Sequence, residues 1–391
     1  MYVERLYSRS GEVAKNPYKS LILLSSKSWP NLCYQLFRQG NTAVCTAKKE
    51  VPMKLINSTV AMAVLALGSI VAGAAHAGTV IYNNAIPANA TVALGVNDDG
   101  SLNTSTGNIA ANSSRTGLAY NFGTAEASNW RDSTSPGCFC EGWGVSVNGT
   151  TSGYANVAGG GANLTVGALA NVSGTSVTTT TSLTSLMGLT VTQAYAVSGA
   201  TSALFQNTVT ITNNTGATVN DVKYVRVMDW DVPPTEFAEY VTIKGTATTT
   251  LLERSHNDGF DSSNPLVATS GLNPATEDVD FTDVGAADHG AYFRFNFGSL
   301  DDGESYTFSV FYGAAGSEAD ALAAVAAADI ELYSFGQSSR GGEITGSPAT
   351  FIFGFSGVGG VPVGEVPEPG SLALVGLALA GLCYARRRQQ A

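Results

Sequence analysis

The chain has 391 residues, with 20 Lys and Arg against 31 Asp and Glu and a formal net charge of −11. The charge is uneven, because residues 78–366 hold only 8 basic but 27 acidic side chains. Nucleic acids and anionic membrane surfaces attract Lys and Arg, so this body is unsuited to either partner. Its acidity is typical of a soluble extracellular protein or of one that holds cations.

Residues 53–77 have the pattern of a secretory signal peptide. Lys54 supplies the basic start, residues 60–75 are apolar, and small residues precede the site after Ala77. We therefore predict export by the Sec machinery and a mature chain that begins at Gly78. Residues 1–52 are interpreted as upstream translation from a misassigned start codon. The alternative is a genuine cytoplasmic extension that precedes an uncleaved signal anchor.

Residues 78–366 are predicted to form an extracellular β domain, with two subdomains as an alternative. Apolar and polar residues alternate, and clusters of Asn, Asp and Gly separate the alternating runs. No helical pattern lies between most of these runs, which favours an antiparallel β-sandwich, immunoglobulin-like or larger, in the all-β class. The clearest predicted strands are residues 208–212, 221–230, 240–244, 291–297, 305–312 and 350–355.

Two connections in the second half of this body have readable signals. Asp301, Asp302 and Gly303 separate two aromatic-rich strands, which predicts a β-hairpin. One short helix is expected near residues 318–329, in an alanine-rich stretch. Ser317 precedes Asp320 by three positions, a spacing that allows the two side chains to satisfy the first free amides of a helix.

The body contains two cysteines, Cys138 and Cys140. In an oxidising compartment they are expected to form a tight local disulfide, and an intermolecular bridge is the alternative. A zinc site would require two further soft ligands, and residues 78–366 have no other cysteine.

Acidic turns offer the hard oxygen donors that Ca²⁺ prefers. Asp-Gly turns are mostly only turns, and we prefer that interpretation here; among the candidate turns, Asn257, Asp258 and Asp261 are favoured over the other two as a structural calcium loop. None of the acidic turns has the twelfth-position glutamate of an EF-hand loop. The other candidate turns are Asn97-Asp98-Asp99 and Asp229 with Asp231.

The sequence does not predict an enzyme. The body has only two histidines, His256 and His289, and no nucleophile elbow, zinc-protease motif or phosphate-binding loop. His289 is interpreted as a turn residue before a strand. The alternative is a secreted polysaccharide-acting enzyme, whose paired carboxylates would be Asp229 with Asp231 or Glu236 with Glu239.

Carbohydrate binding is a further alternative, because aromatic side chains can stack on sugar faces. Trp130, Trp143 and Trp230 are the candidates. Buried aromatic residues of a sandwich have the same appearance in a sequence, and Trp230 is assigned to the core.

The C-terminal residues 367–391 read PEPGSLALVGLALAGLCYARRRQQA. The prolines keep the first residues extended, and residues 371–385 form a predicted membrane helix of roughly 22 Å, shorter than the roughly 30 Å hydrocarbon core. Arg386, Arg387 and Arg388 are expected to stay cytoplasmic, which leaves the body on the other side. An ordinary tail anchor is the alternative.

This order of elements resembles the PEP-CTERM sorting signal, which an exosortase recognises. Pro367, Glu368 and Pro369 match its motif, residues 371–385 its helix, and the arginine triplet its basic end. The resemblance implies transient inner-membrane anchoring, processing by an exosortase, and a final location at the cell surface or in the extracellular matrix. It also implies a role with exopolysaccharide or biofilm.

The body also resembles an uncharacterised exported module of bacterial surface proteins. This resemblance implies an extracellular role and no particular activity. It is carried by residues 225–247, 257–266, 288–298, 311–322 and 333–339, with CFCEGWG at residues 138–144 as a further match.

Overall fold

A computed structural model describes residues 78–340, 343–344 and 346–363. The predicted signal peptide with Ala77, residues 1–52, and the sorting signal with its membrane helix lie outside the described residues. Gly78, the predicted mature N-terminus, is the first residue of the first strand.

The described chain is mostly β-structure with one short α-helix, which confirms the predicted fold class. The strands of the first half are β1 (Gly78–Tyr82), β2 (Val92–Asn97), β3 (Leu118–Asn121), β4 (Trp130–Asp132), β5 (Gly142–Val147), β6 (Thr151–Asn156), β7 (Leu164–Val166), β8 (Ser176–Leu183), β9 (Leu186–Val197) and β10 (Leu204–Asn213). The second half contains β11 (Lys223–Trp230), β12 (Glu239–Lys244), β13 (Leu252–His256), β14 (Phe281–Ala287), β15 (His289–Asn296), β16 (Ser305–Ala315), α1 (Glu318–Ala327), β17 (Leu332–Gln337), β18 (Ser339–Arg340), β19 (Glu343–Ile344) and β20 (Thr350–Ser356). Single turns of 3₁₀-helix occur at Pro87–Asn89 and Pro274–Thr276.

The strands form three large antiparallel sheets and one short ribbon of β18 with β19. The four-stranded sheet has the order β1-β2-β3-β4, and the five-stranded sheet has the order β13-β15-β11-β5-β6. The nine-stranded sheet has the order β14-β12-β17-β20-β16-β10-β9-β8-β7.

The core lies between the five-stranded and nine-stranded sheets and is rich in aromatic rings. Phe293 of β15 lies 5.6 Å from Phe353 and 5.2 Å from Phe355 of β20, measured between ring centroids. Tyr224 of β11 lies 4.9 Å from Phe308 of β16. These contacts join the inner faces of two sheets, which is the arrangement of a β-sandwich. Burial of each such ring stabilises the fold by roughly 1.5–3 kcal/mol.

The threonine-rich strands have one buried and one solvated face, as their alternation predicts. Thr180, Thr192, Thr210 and Thr307 lie side by side on β8, β9, β10 and β16. The hydroxyls of Thr180 and Thr192 are 3.4 Å apart, and those of Thr210 and Thr307 are 3.1 Å apart. The alternating residues of these strands fill the core, so the threonine tract is part of a sheet rather than low-complexity sequence.

The predicted hairpin around Asp301 and Gly303 is wrong. Gly303 does form a turn, with φ of 84°. The strands on its two sides, however, belong to different sheets, because β15 pairs with β11 and β13, while β16 pairs with β10 and β20. The connection, residues 297–304, is longer than the two to five residues of most hairpin loops. It therefore has the length to cross from one layer of the sandwich to the other.

The helix begins as the sequence predicts. Ser317 Oγ accepts a hydrogen bond from the Asp320 amide at 3.2 Å and donates one to Asp320 Oδ2 at 2.7 Å. Its buried side chains, Ala321, Ala324 and Val325, pack in a second apolar cluster with residues of the nine-stranded sheet. The helix thus covers the face of that sheet opposite the main core.

The basic side chain of Arg226, on β11, is fully buried inside the sandwich. Its Nε donates to Glu141 Oε1 at 2.5 Å, and its Nη1 donates to Gln193 Oε1 of β9 at 2.8 Å. Its Nη2 donates to the carbonyl oxygen of Gly100, in the turn after β2, at 3.1 Å. Burial alone lowers the pKa of Arg226, but the Glu141 carboxylate and nearby tyrosines raise it well above its usual range. One guanidinium therefore connects segments of all three large sheets.

We expect Glu141→Gln to destabilise the fold by about 3–5 kcal/mol, because Arg226 would remain charged and buried without its carboxylate. Urea unfolding of the full-length chain in mild detergent measures this change. The matched control is Glu253→Gln, which removes a surface carboxylate that pairs with Lys223 and Arg294. This control is expected to cost less than about 1 kcal/mol. Equal effects of the two variants would contradict the central role of the Arg226 pair.

Candidate functional site

Four carboxylates from three segments of the chain meet near the ends of three strands. Asp229 is the second-last residue of β11 and Asp231 follows that strand. Glu239 is the first residue of β12, and Asp288 directly precedes β15. We call these four residues the carboxylate cluster. It lies where the chain passes from the five-stranded to the nine-stranded sheet.

The pairing of β11 with β15 brings the cluster together. Asp229 lies opposite Gly290, and Trp230 lies opposite His289. Continuing the same register places Asp288 beside Asp231. Gly290 is required at its position, because a Cβ atom there would lie 2.0 Å from the carbonyl oxygen of Met228. The close approach of the two strands thus depends on a residue without a side chain.

Four of the eight carboxylate oxygens of the cluster are buried and have no hydrogen-bond partner among the described residues. Asp229 is 1% exposed, Asp231 and Glu239 are 0% exposed, and Asp288 is exposed. Asp229 Oδ1, both carboxylate oxygens of Asp231, and Glu239 Oε2 have no hydrogen-bond partner among the described residues. One oxygen each from Asp229, Asp231 and Asp288 lies within 4.8 Å of the other two. Desolvated carboxylates without partners are strongly unfavourable, so this arrangement requires a compensating group.

The cluster perturbs the proton affinity of its own members. Burial, followed by the charges of Asp288 and Asp258, raises the pKa of Asp229 to about 8. Burial and then the charges of Asp229 and Glu239 raise the pKa of Asp231 to about 10. Burial is also the main reason that the pKa of Glu239 rises to about 9. None of the ion pairs between described residues includes a member of the cluster.

A disulfide borders the cluster. The structure bonds Cys138 to Cys140, and the sulfur of Cys138 lies 3.3 Å from Asp229 Oδ2. Two sulfurs that are bonded to each other are not thiolates and carry no hydrogen to donate. In this state the donors of the site are therefore oxygens alone.

His289 lies against the cluster as a neutral imidazole. Its Nε2 is 3.2 Å from the Glu239 carbonyl oxygen, which can only accept, so Nε2 carries the proton. Its Nδ1 then accepts from the side-chain amide of Asn257 at 3.2 Å. Burial lowers the pKa of His289 to about 4, so it does not neutralise the carboxylates at neutral pH.

The predicted calcium loop lies beside the cluster but uses its oxygens internally. Asn257 Oδ1 accepts from the Thr276 hydroxyl at 2.8 Å, and Asp258 Oδ1 accepts from the amide of Phe260 at 2.9 Å. Asp261 accepts from the amide of Ser262 and from the hydroxyl of Thr269. These hydrogen bonds are those of an ordinary turn, and a calcium ion at Asn257, Asp258 and Asp261 stays a prediction.

The other carboxylates that the sequence singles out are placed elsewhere. Glu236 pairs with Arg131 at 3.1 Å and accepts from Asn112, so it does not share a site with Glu239. In the turn after β2, Asp99 Oδ1 accepts from both the amide and the hydroxyl of Ser101. Neither position joins the carboxylate cluster.

The three tryptophans proposed for sugar stacking lie in the interior. Trp143 and Trp230 are fully buried, and Trp130 is 8% exposed. Trp143 Nε1 donates to the carbonyl oxygen of Asp99, and Trp230 Nε1 donates to Ser334 Oγ. The core interpretation is therefore correct for Trp230, and none of the three rings is placed to stack on a sugar.

Two adjoining clefts open on the surface, with volumes of about 620 and 330 Å³, and Cys140 and Asp261 line the smaller one. Tyr154 and Asn156 line both. The larger cleft is also lined by Asn97, Asp99, Arg115 and Asn163, so its walls carry amide, carboxylate and guanidinium groups. No member of the carboxylate cluster lines either cleft.

Comparison with known protein families gives a match for residues 365–389, to a profile described as the PEP-CTERM protein-sorting motif. The chain carries a PEP-CTERM protein-sorting motif. This motif marks an exported protein that is anchored in the membrane and then processed by an exosortase. No curated protein and no solved structure matches the chain. Within the described residues, no helix has the length and hydrophobicity to cross a membrane.

The sequence singles out three members of the cluster but does not show that they belong together or that Asp288 joins them. Asp229 with Asp231 stands out as an acidic pair, and Glu239 as half of another. Asp288 has no signal beyond its place before a strand, because its proximity to Asp231 arises from strand register between segments nearly sixty residues apart.

A second buried histidine gives the protein a predicted pH dependence. His256 stacks on Tyr292 with ring centroids 4.5 Å apart. Burial lowers the pKa of His256 to about 4, so its 3.6 Å approach to Asp261 is not an ion pair at neutral pH. The unfolded chain binds this proton near pH 6.5, so stability is complete above that pH and is lost as the pH falls towards 4.

The loss attributable to His256 is expected to reach roughly 3 kcal/mol at pH 4. Urea unfolding of the full-length chain between pH 7 and 4 measures it. His256→Gln retains a hydrogen-bonding amide but cannot titrate, so the variant should lose less stability over this range than the wild type. Parallel pH curves for the two proteins would contradict the assignment.

Proposed function

We propose that this protein is a non-catalytic component of the cell surface or extracellular matrix that associates with exopolysaccharide. The sorting motif at residues 365–389 carries the proposal, because it marks an exported protein that an exosortase processes. The body is acidic and rich in hydroxyl side chains, a composition that suits an aqueous environment outside the membrane. In this proposal the membrane segment is temporary, and the β-sandwich is the part that persists.

The alternative of a glycan hydrolase receives little support from the geometry. Glycosidases place two accessible carboxyl groups about 5–5.5 Å or about 6.5–9.5 Å apart, on either side of a sugar. Asp229 and Asp231 have oxygens within 4.8 Å of each other and are almost completely buried. Glu236 is engaged by Arg131. We therefore favour a binding and structural role.

The cleft around Tyr154 is our candidate for saccharide contact. It combines a half-buried tyrosine with amide and guanidinium groups, which suit the faces and hydroxyls of sugars. Because the three tryptophans are buried, the aromatic ring of this cleft is more accessible to a sugar than theirs are. The exosortase-dependent location and the polysaccharide contact can be tested separately.

The first test compares the wild type with Pro367→Ala, Glu368→Ala, Pro369→Ala in the native host. We expect the wild-type protein outside the cell, with the mass of a chain that begins at Gly78 and lacks the arginine tail. We expect the variant to remain in the membrane with its tail attached. Intact mass spectrometry of cell fractions measures both properties. Gln389→Ala, Gln390→Ala is the control, because it alters the same tail outside the Pro-Glu-Pro, helix and arginine elements. Retention of the tail in the wild type would overturn the matrix location.

The second test measures co-sedimentation of the full-length chain with exopolysaccharide isolated from the host. Tyr154→Ala is expected to bind roughly tenfold more weakly, which corresponds to a loss of about 1.4 kcal/mol of stacking. Tyr240→Ala, a half-buried tyrosine on β12 outside both clefts, serves as the control. Unchanged binding of Tyr154→Ala would remove the cleft from the proposal, and absence of wild-type binding would remove the polysaccharide.

A further inference from the structure

We propose that Asp229, Asp231 and Asp288 bind one Ca²⁺ ion, with Glu239 as an adjacent carboxylate that completes or orients the site. This inference goes beyond the proposed function and does not depend on it. It places the ion at the carboxylate cluster and not in the neighbouring loop of Asn257, Asp258 and Asp261.

The separations of the oxygens fit a single ion. Calcium–oxygen bonds are about 2.3–2.6 Å long, so two ligands of one ion are at most about 4.6–5.2 Å apart. One oxygen each from Asp229, Asp231 and Asp288 meets this limit, since all lie within 4.8 Å of one another. Both oxygens of Asp231 are without a hydrogen-bond partner in the described structure, so this carboxylate is free to bind in bidentate fashion.

The unpaired oxygens are the observation that points to a ligand. Asp229 and Asp231 are at least 99% buried, yet three of their four carboxylate oxygens have no partner among the described residues. Protons alone would not satisfy them, because a protonated carboxyl group needs an acceptor for its hydrogen. A cation satisfies several oxygens at once and also supplies the positive charge that the surrounding ion pairs do not.

The donor set favours calcium over other metals. All available donors are oxygens, because the neighbouring cysteine sulfurs are bonded to each other. Mg²⁺ usually keeps several of its waters, and the burial of Asp229 and Asp231 leaves little room for them. Asp288 is exposed, so its side of the site gives an ion access from solvent.

The position of the site gives the ion a structural role. Asp229 and Asp288 belong to the ends of two paired strands of the five-stranded sheet, and Asp231 starts the segment that leads to β12 of the nine-stranded sheet. A bound ion would hold this crossing in place. Binding that occurs only in the folded state raises the melting temperature in proportion to the logarithm of the ion concentration.

The test is thermal unfolding and calorimetric titration of the full-length chain after treatment with EGTA. We expect Ca²⁺ to bind with an apparent Kd below about 1 mM and to raise the melting temperature by at least about 5 °C at saturation. Asp231→Asn should abolish the shift. Asp288→Asn should weaken binding at least fivefold, and because Asp288 is exposed we expect this variant to fold.

Asp258→Asn is the matched control. Its amide oxygen preserves the turn contact with Phe260, so it should respond to Ca²⁺ as the wild type does. Loss of the response in Asp258→Asn, with retention in Asp231→Asn and Asp288→Asn, would place the ion in the neighbouring loop and overturn the proposal. Absence of any calcium-dependent shift or heat in the wild type would overturn it as well. An equal response to Mg²⁺ would overturn the assignment to calcium.

Discussion

The buried pair of Arg226 and Glu141 is the interaction on which the arrangement of the three sheets depends. A guanidinium in an apolar interior is tolerated only when all its donors find acceptors. Here the acceptors come from the residue before β5, from β9, and from the turn after β2. Tyr312 of β16 donates to the same carboxylate at 3.2 Å, and the amide of Leu102 donates to it at 2.7 Å. Any other relative placement of the sheets would leave part of this network unsatisfied.

The carboxylate cluster is the opposite case within the same fold. Glu141 is buried with a cation and several donors, whereas Asp229 and Asp231 are buried next to further carboxylates. The first arrangement is complete in itself and specifies the packing. The second is not complete in itself, and the proposed Ca²⁺ ion would supply the positive charge that it lacks.

The sorting tail and the sandwich have different roles. The tail carries the Pro-Glu-Pro motif ahead of a short apolar stretch and an arginine triplet, an order of residues that suits recognition by an exosortase at the membrane. Most of the large apolar side chains of the sandwich are buried, in clusters between its sheets and beneath its one helix. Its outward threonine rows keep the broad face of the nine-stranded sheet hydrated. In the function proposed above, the tail serves to deliver this body to the outside of the cell.

The sequence by itself determined the local features of this protein. Alternation predicted the strands around Thr208 and Tyr224, the spacing of Ser317 and Asp320 predicted the helix start, and the order of residues 367–391 predicted the sorting signal. Each of these signals is contained within one short segment, where period, capping or composition acts directly. The pairing of strands was decided only by the tertiary structure, as the turn at Gly303 shows, because a turn has the same residues whether it joins neighbours or crosses between sheets. The burial of Arg226 and the approach of Asp288 to Asp231 were likewise decided there, because each requires strands distant in sequence to align in one register.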